Sequence, residues 1–426
     1  MSGTTPEPDT NLPPGPSGPM EEPVLSPRVP RMRTRRRRLV RALPFLMALV
    51  LAGAGLHQLQ HAGKLLLPFE SVTTLRGRLA SVGDLFKDPQ IVRILRKNGL
   101  KVEITSAGSR EVATGSLNGL DFVFPSGQPA ADLIYVRRQE EGLYSKDFHP
   151  FDSPLVLATF APYAKALTAI HAAEPEKVPA GPQLYYTVDM ARFLELRNTK
   201  WNSLNVQKYG YRNDNKILAQ TSDICESNSA DSYLSLAAFT LNNDSVLSKQ
   251  TVPSLAPAMK QVFGGQGAPS DGLYSSYVSS NGSRQSPVAV LYEHQFLTYQ
   301  TAYRAAHGHV DTQRVLLYPK TQLLSEPHYI ALNHQADRLG ELLEGDPELL
   351  RRETELGYQL HSSEDGHELR DYLRSQGVPA PQEDTVDRTK VTLPDLSVLE
   401  AMITKIKGGP CPSHVHGHTT SPSEGR

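Results

Sequence analysis

The sequence predicts an α/β body with a largely parallel sheet, carried behind an N-terminal membrane segment. Three observations lead there. Runs of strand period alternate with runs of helical period from residue 89 to residue 159. Polar, Gly- and Ser-bearing loops follow those strand candidates, where open α/β sheets hold their ligands. A dense Arg run abuts an uncharged apolar segment before the body begins.

Residues 1–30 are rich in Pro, Gly, Ser and Thr and are expected to be disordered. Arg31 to Arg38 is strongly basic, and Ala42 to Leu56 behind it carries no charge. Basic residues stay on the cytoplasmic side, so the body is expected outside the cell membrane. The apolar core is shorter than the roughly 20 residues that span a bilayer. It borrows Leu39, Val40 and the region Gln58 to Ala62. A cleaved leader is the alternative, with Ala52-Gly53-Ala54 offered to a signal peptidase. The long arm ahead of the core favours an uncleaved signal anchor. No cysteine lies near residue 55, which excludes a lipoprotein anchor. The reading is a basic cytoplasmic arm at 1–38 and a single-pass transmembrane helix at 39–62. The same Arg run also fits a nuclear or nucleic-acid patch, but the apolar segment beside it favours the membrane.

Composition supports a soluble body: 426 residues, 39% hydrophobic and 21% charged, enough for two or three domains. Of 44 basic and 45 acidic residues, eight Arg and four acids fall within 1–41, leaving 36 against 41. The arm is therefore net +4 and the remainder net −5. An acidic remainder offers no electrostatic footprint for nucleic acid.

The body begins near Pro68. Pro89 to Asn98 is a helix with Ile91, Val92, Ile94 and Leu95 on one side, and Gly99 stops it. Lys101 to Thr105 alternates as a strand. Ala107 to Arg110 is a loop opening a helical turn. Leu120 to Phe124 is a second strand, ended by Pro125-Ser126-Gly127-Gln128-Pro129. Leu155 to Thr159 is a third. Later, Lys216 to Ala219 reads as a short strand feeding the loop Thr221 to Ser229. Ala230, Tyr233, Leu234, Ala237, Ala238 and Leu241 then recur at helical spacing. Ser227, Asn228 and Ser229 are good cap residues. The first amides of such a helix lack internal partners and sit at the positive end of its dipole. That suits a ligand bearing oxygens; an ordinary capped helix start is the plain alternative.

The ordered set of Ile91 through Ile104, Gly108-Ser109-Arg110, Leu120 through Gly127, Phe151 through Thr159, Trp201, Ser227-Asn228-Ser229 and Pro287 through Glu293 resembles the type 2 periplasmic-binding-protein fold. Its nearest form is the membrane-anchored, extracellular solute-binding protein of actinobacteria. The resemblance implies two lobes closing on a solute: residues 66–155 with 287–375, and residues 156–286. Leu155 to Thr159 and Val288 to Leu291 would cross between them as hinges. It implies a cleft faced by Ser109, Arg110, Ser126, Gly127, Thr221, Ser222, Asp223, Ser227, Asn228, Ser229 and Tyr292. The implied partners are a small polar solute, an oxyanion among the candidates, and an ABC-type permease; no cofactor is implied. Turn chemistry explains Ser109 and Ser126 equally well, and core packing explains Tyr292 and Trp201. Asp223 and Glu226 depart from an oxyanion site, because a carboxylate repels an anion unless neutralised. Ile224-Cys225 stands where relatives carry Pro-Arg.

Beyond residue 290 the expected elements are strands at 313–318 and 329–332, helices over 336–359 broken at Gly345-Asp346-Pro347, and a helix from His367 to Arg374. Residues 376–426 read as a linker, a helix from Leu393 to Lys407 and a disordered tail. Cys225 and Cys411 are expected as two free thiols rather than one bond. His414, His416 and His418 could hold a metal only adventitiously, without a packed shell. No Gly-x-Ser-x-Gly, His-Glu-x-x-His, Walker or Gly-x-Gly-x-x-Gly motif occurs. Binding without chemistry is the expectation. A surface sensor or scaffold of the same fold is the alternative, and a hydrolase of unfamiliar type the remote one.

Overall fold

Twelve strands organise the computed structural model, which describes residues 72–177, 181–225, 227–264, 272–363, 367–381 and 391–411. They are β1 (Thr73–Leu79), β2 (Leu100–Ser106), β3 (Phe122–Phe124), β4 (Lys146–Phe148), β5 (Phe151–Phe160), β6 (Ala173–Pro175), β7 (Tyr185–Val188), β8 (Val288–Tyr292), β9 (Arg314–Pro319), β10 (Leu324–Ser325), β11 (Tyr329–Ala331) and β12 (Gln359–Leu360). The basic arm, the expected anchor at 39–62 and the histidine tail lie outside the described residues. Among the described residues no helix is long and apolar enough to cross a membrane.

The first sheet has the order β2-β1-β3-β11-β4. β1, β2 and β3 run parallel. The helix Pro89–Lys97 makes the first crossover. Pro89 starts it, and the Asp88 carboxylate accepts from the amides of Gln90 and Ile91. Arg352 grips the same carboxylate from the helix Pro347–Glu355, at 3.1 and 2.7 Å. Gly99, at φ 73°, ends the helix as expected. Within β3, Phe122 and Phe124 pack into one apolar layer and Val123 into the other. The sheet is therefore covered on both faces, as parallel sheets are.

Gly77 on β1 is required by that packing. A Cβ there would lie 2.1 Å from the Phe122 ring. Gly77→Ala should cost about 1–3 kcal/mol through overpacking, read as a lower urea midpoint. An unchanged midpoint would contradict the close approach.

The second sheet is built on β5, which is buried along nearly its whole length. β12 and β10 pair with Phe151 to Pro154, β8 with Leu155 to Thr159, and β9 with Leu157 to Phe160, all antiparallel. β7 lies parallel to β9, and β6 closes the edge antiparallel to β7. The parallel expectation thus holds for β1 to β3 and for β7 on β9, while β11 in the first sheet and every pairing of β5 in the second are antiparallel. The two expected crossing strands, within β5 and β8, are each other's neighbours. The sequence division gives 287–375 to the first half as one block. In the structure β11 joins the first sheet, while β8 and β9 stay in the second. β9 buries Val315, Leu316 and Leu317 completely between its neighbours.

Lys216 to Ala219 forms no strand. It makes only the isolated bridges Lys200↔Lys216 and, just beyond, Gln220↔Ala289. The partner at Lys200 turns at once into the 3-10 helix Trp201–Leu204, leaving nothing for a ladder. Trp201 is fully buried in the second core with Tyr163, Tyr233 and Met259. The helices Asn228–Leu241 and Val252–Phe263 complete that core. So does the C-terminal helix Leu396–Lys407, through Val398, Leu399, Met402, Ile403 and Ile406.

Candidate functional site

Both halves deliver polar loops to one place. In the first half, β2 ends at Ser106 and opens the helix Ser109–Thr114, while β3 ends at Phe124 and opens the helix Gln128–Glu140. The Ser126 amide donates to Ser109 Oγ at 3.3 Å, tying the two loops together. In the second half, Gln220 is bonded on both sides to β8, through Val288 O and Val290 N, both at 2.8 Å. The chain then runs through buried Thr221 and Ser222 to the helix Asn228–Leu241.

Asn228 joins the halves. Its Nδ2 donates to Tyr292 Oη at 2.9 Å and to Ser126 O at 3.4 Å. Ser227 caps the helix by position only: its hydroxyl turns to Ser229 Oγ at 2.9 Å and makes no capping bond. Asp223 Oδ1 accepts from the Cys225 amide at 2.7 Å, and Oδ2 meets Lys407 Nζ at 3.1 Å. The carboxylate that departed from an oxyanion site is therefore neutralised by a lysine of the C-terminal helix.

A cavity of about 20 Å³ lies at this junction, room for a water or two. Ser109, Gly127 and Ala130 line it from the first half, and Asn228, Asp231, Ser232 and Ser235 from the second. Leu393, Leu396 and Leu399 of the C-terminal segment supply the rest. Leu396 packs against the first half's apolar layer while Leu399 belongs to the second core, so this helix straddles the junction. A disulfide between Cys225 and Cys411 fastens its far end to the loop ahead of Asn228. The expected pair of free thiols is corrected here. The two Cα atoms stand 5.5 Å apart, within disulfide reach, because the helix brings the tail back. The expected disordered tail is corrected as far as Cys411 for the same reason.

Of the residues expected at a cleft, Ser109, Gly127 and Asn228 line the cavity, and Ser126 and Tyr292 touch Asn228. Thr221, Ser222, Asp223, Ser227 and Ser229 lie on the stretch before and at the start of the helix Asn228–Leu241 and do not line the cavity. Arg110 lies in the helix Ser109–Thr114, and its side chain and Glu226 are outside the described residues. Asp231, Ser232 and Ser235 were missed, although polar residues at 228, 231, 232 and 235 mark one face of an otherwise apolar helix. Also missed was a group of Asp147, His149 and His328 in the first half.

No protein-family model matches the chain, and no curated protein matches it. Solved structures do. The sulfate-binding protein SubI from Mycobacterium tuberculosis is 14% identical, with 77% of this chain and 96% of that one covered at a TM-score of 0.43. The substrate-binding protein of an ABC transporter from Agrobacterium tumefaciens is 12% identical, covering 80% and 95% at 0.47. Iron-bound HitA from Pseudomonas aeruginosa is 12% identical, covering 79% and 99% at 0.42. The solute that each holds is a property of that protein.

Proposed function

We propose that this chain captures a small polar solute at the junction of its two halves, without chemical conversion. The observation that carries the reading is Asn228, which reaches Ser126 of one half and Tyr292 of the other through a single side chain. A group spanning both halves suits a site that closes on its ligand. Asp231 at the cavity wall weighs against a bare oxyanion and favours a solute with hydroxyl or cationic groups. The Arg run and apolar segment support a body held outside the membrane as a single-pass protein. The disulfide agrees, since such bonds persist in oxidising compartments. An ABC-type permease is the partner that this placement would serve.

A second reading is favoured by one observation. The leucines of the C-terminal helix already occupy the junction, as they would in a surface scaffold or sensor that has no free solute. Thermal unfolding of the full chain against sugars, amino acids, anions and cations separates the two. A bound solute at 100 times its Kd should add about 2.7 kcal/mol of stability, and Asn228→Ala should remove that shift. A flat response across every class, with the disulfide intact or reduced, would leave only the scaffold.

A further inference from the structure

The three side chains missed above are brought together by strand geometry. Asp147 lies on β4 and His149 follows two residues later, so both point to one face of the strand. β4 pairs antiparallel with β11 in the register Tyr329↔Phe148. That register sets His328 directly across from His149, and their rings are 4.3 Å apart. Asp147 Oδ2 meets His149 Nε2 at 2.9 Å and His328 Nδ1 at 2.9 Å. All three atoms lie within 4.8 Å of one another. In a tetrahedral site with bonds of about 2.0–2.1 Å, neighbouring ligand atoms stand roughly 3.3 Å apart. Small side-chain shifts are enough to admit an ion.

The surroundings are built for this. His328 is 5% exposed, and its Nε2 is buried with no hydrogen bond among the described residues. Its amide donates to Pro125 O at 3.0 Å, hanging the ring from the loop that supplies Ser126. The Phe148 amide donates to Asp147 Oδ1 at 3.0 Å and fixes the carboxylate. The His149 amide donates to Glu344. Glu344 therefore stands against His149, and its carboxylate makes the local field acidic. The Phe148 amide is an outer group of the kind that orients a metal ligand.

We propose that Asp147, His149 and His328 form a site for a borderline divalent cation of the zinc class, with its remaining positions open to water. Two imidazoles and one carboxylate suit such ions, whereas calcium and magnesium demand oxygen ligands. These residues do not line the cavity, so the site stands independently of the solute reading.

The test is a zinc titration of the full chain against a chromophoric chelator, with cobalt substitution to read coordination. One zinc per chain is expected. His149→Ala, at a half-exposed position, should weaken it by about 100-fold or more with an unchanged far-ultraviolet spectrum. Asp147→Asn should do the same and keep the packing. A chain ending at Cys411, which lacks His414, His416 and His418, should bind as before. The cobalt complex should lose its visible bands in either point variant. Absence of stoichiometric binding, retention in His149→Ala and Asp147→Asn, or loss on removing the tail would each overturn the site.

Discussion

Reduction of the Cys225–Cys411 bond should lower the unfolding free energy by about 3–5 kcal/mol. The bond closes a sequence separation of 186 residues. The chain-entropy relation gives about 5 kcal/mol for a loop of that length, and residual order in the reduced unfolded chain draws the figure down. Cys411→Ser and Cys225→Ser should each cost this amount, and the double variant no more, because one bond is lost in all three. The loss should appear locally as well. Val398, Met402, Ile403 and Ile406 keep the C-terminal helix docked through apolar burial. After reduction that helix should open while the rest stays folded, with amide exchange rising over 396–407 before it rises over 228–241. Identical urea midpoints with and without reductant would defeat the expectation.

The second large effect concerns pH. Half-buried His294 and fully buried Glu353 both meet Tyr358. The His294 ring stacks on Tyr358 at 4.3 Å, and the Tyr358 amide donates to Glu353 O at 3.1 Å. Burial pushes His294 down to about 3. It pushes Glu353 well above the usual carboxylate range, with Asp346 adding to the rise. The signs oppose. Between pH 6.5 and 3 the unfolded chain protonates at His294 while the folded one does not, so stability falls as pH falls. Above pH 4.5 the unfolded chain ionises at Glu353 while the folded one stays neutral, so stability rises as pH falls. The two slopes oppose each other in the window from 4.5 to 6.5. Glu353→Gln should therefore lose stability between pH 6.5 and 4.5, relative to the parent chain. His294→Gln should gain about 2 kcal/mol over the same interval, and other titrating groups subtract out of the comparison. Parallel stability profiles for the parent and both variants would show that neither group is desolvated as described.

Much of the first half was legible because its signals are local. Pro89 and Gly99 bracket a helix within a dozen positions, and Lys101 to Thr105 alternates with a period of two. The helix after Asn228 declared itself through apolar spacing. What stayed hidden depends on distant segments. Nothing near Cys411 indicates that a helix returns it to Cys225. His149 and His328 meet only through the register of β4 on β11. Lys216 to Ala219 has the composition of a strand and lacks a partner long enough to make one. Asp223 is answered by Lys407, 184 positions away in the chain. The parallel pattern of β1 to β3 extrapolates badly, since no local feature says that β8 and β9 run back against β5.

The leucine-bearing C-terminal helix has a consequence for any measured affinity. A tethered segment competes at the high effective concentration of an intramolecular partner. A solute seeking the same space meets only the fraction of molecules whose junction is vacated, and its apparent dissociation constant is inflated by the inverse of that fraction. An intrinsically tight receptor would then register as weak, and severing the tether would sharpen it without altering one residue of the pocket wall.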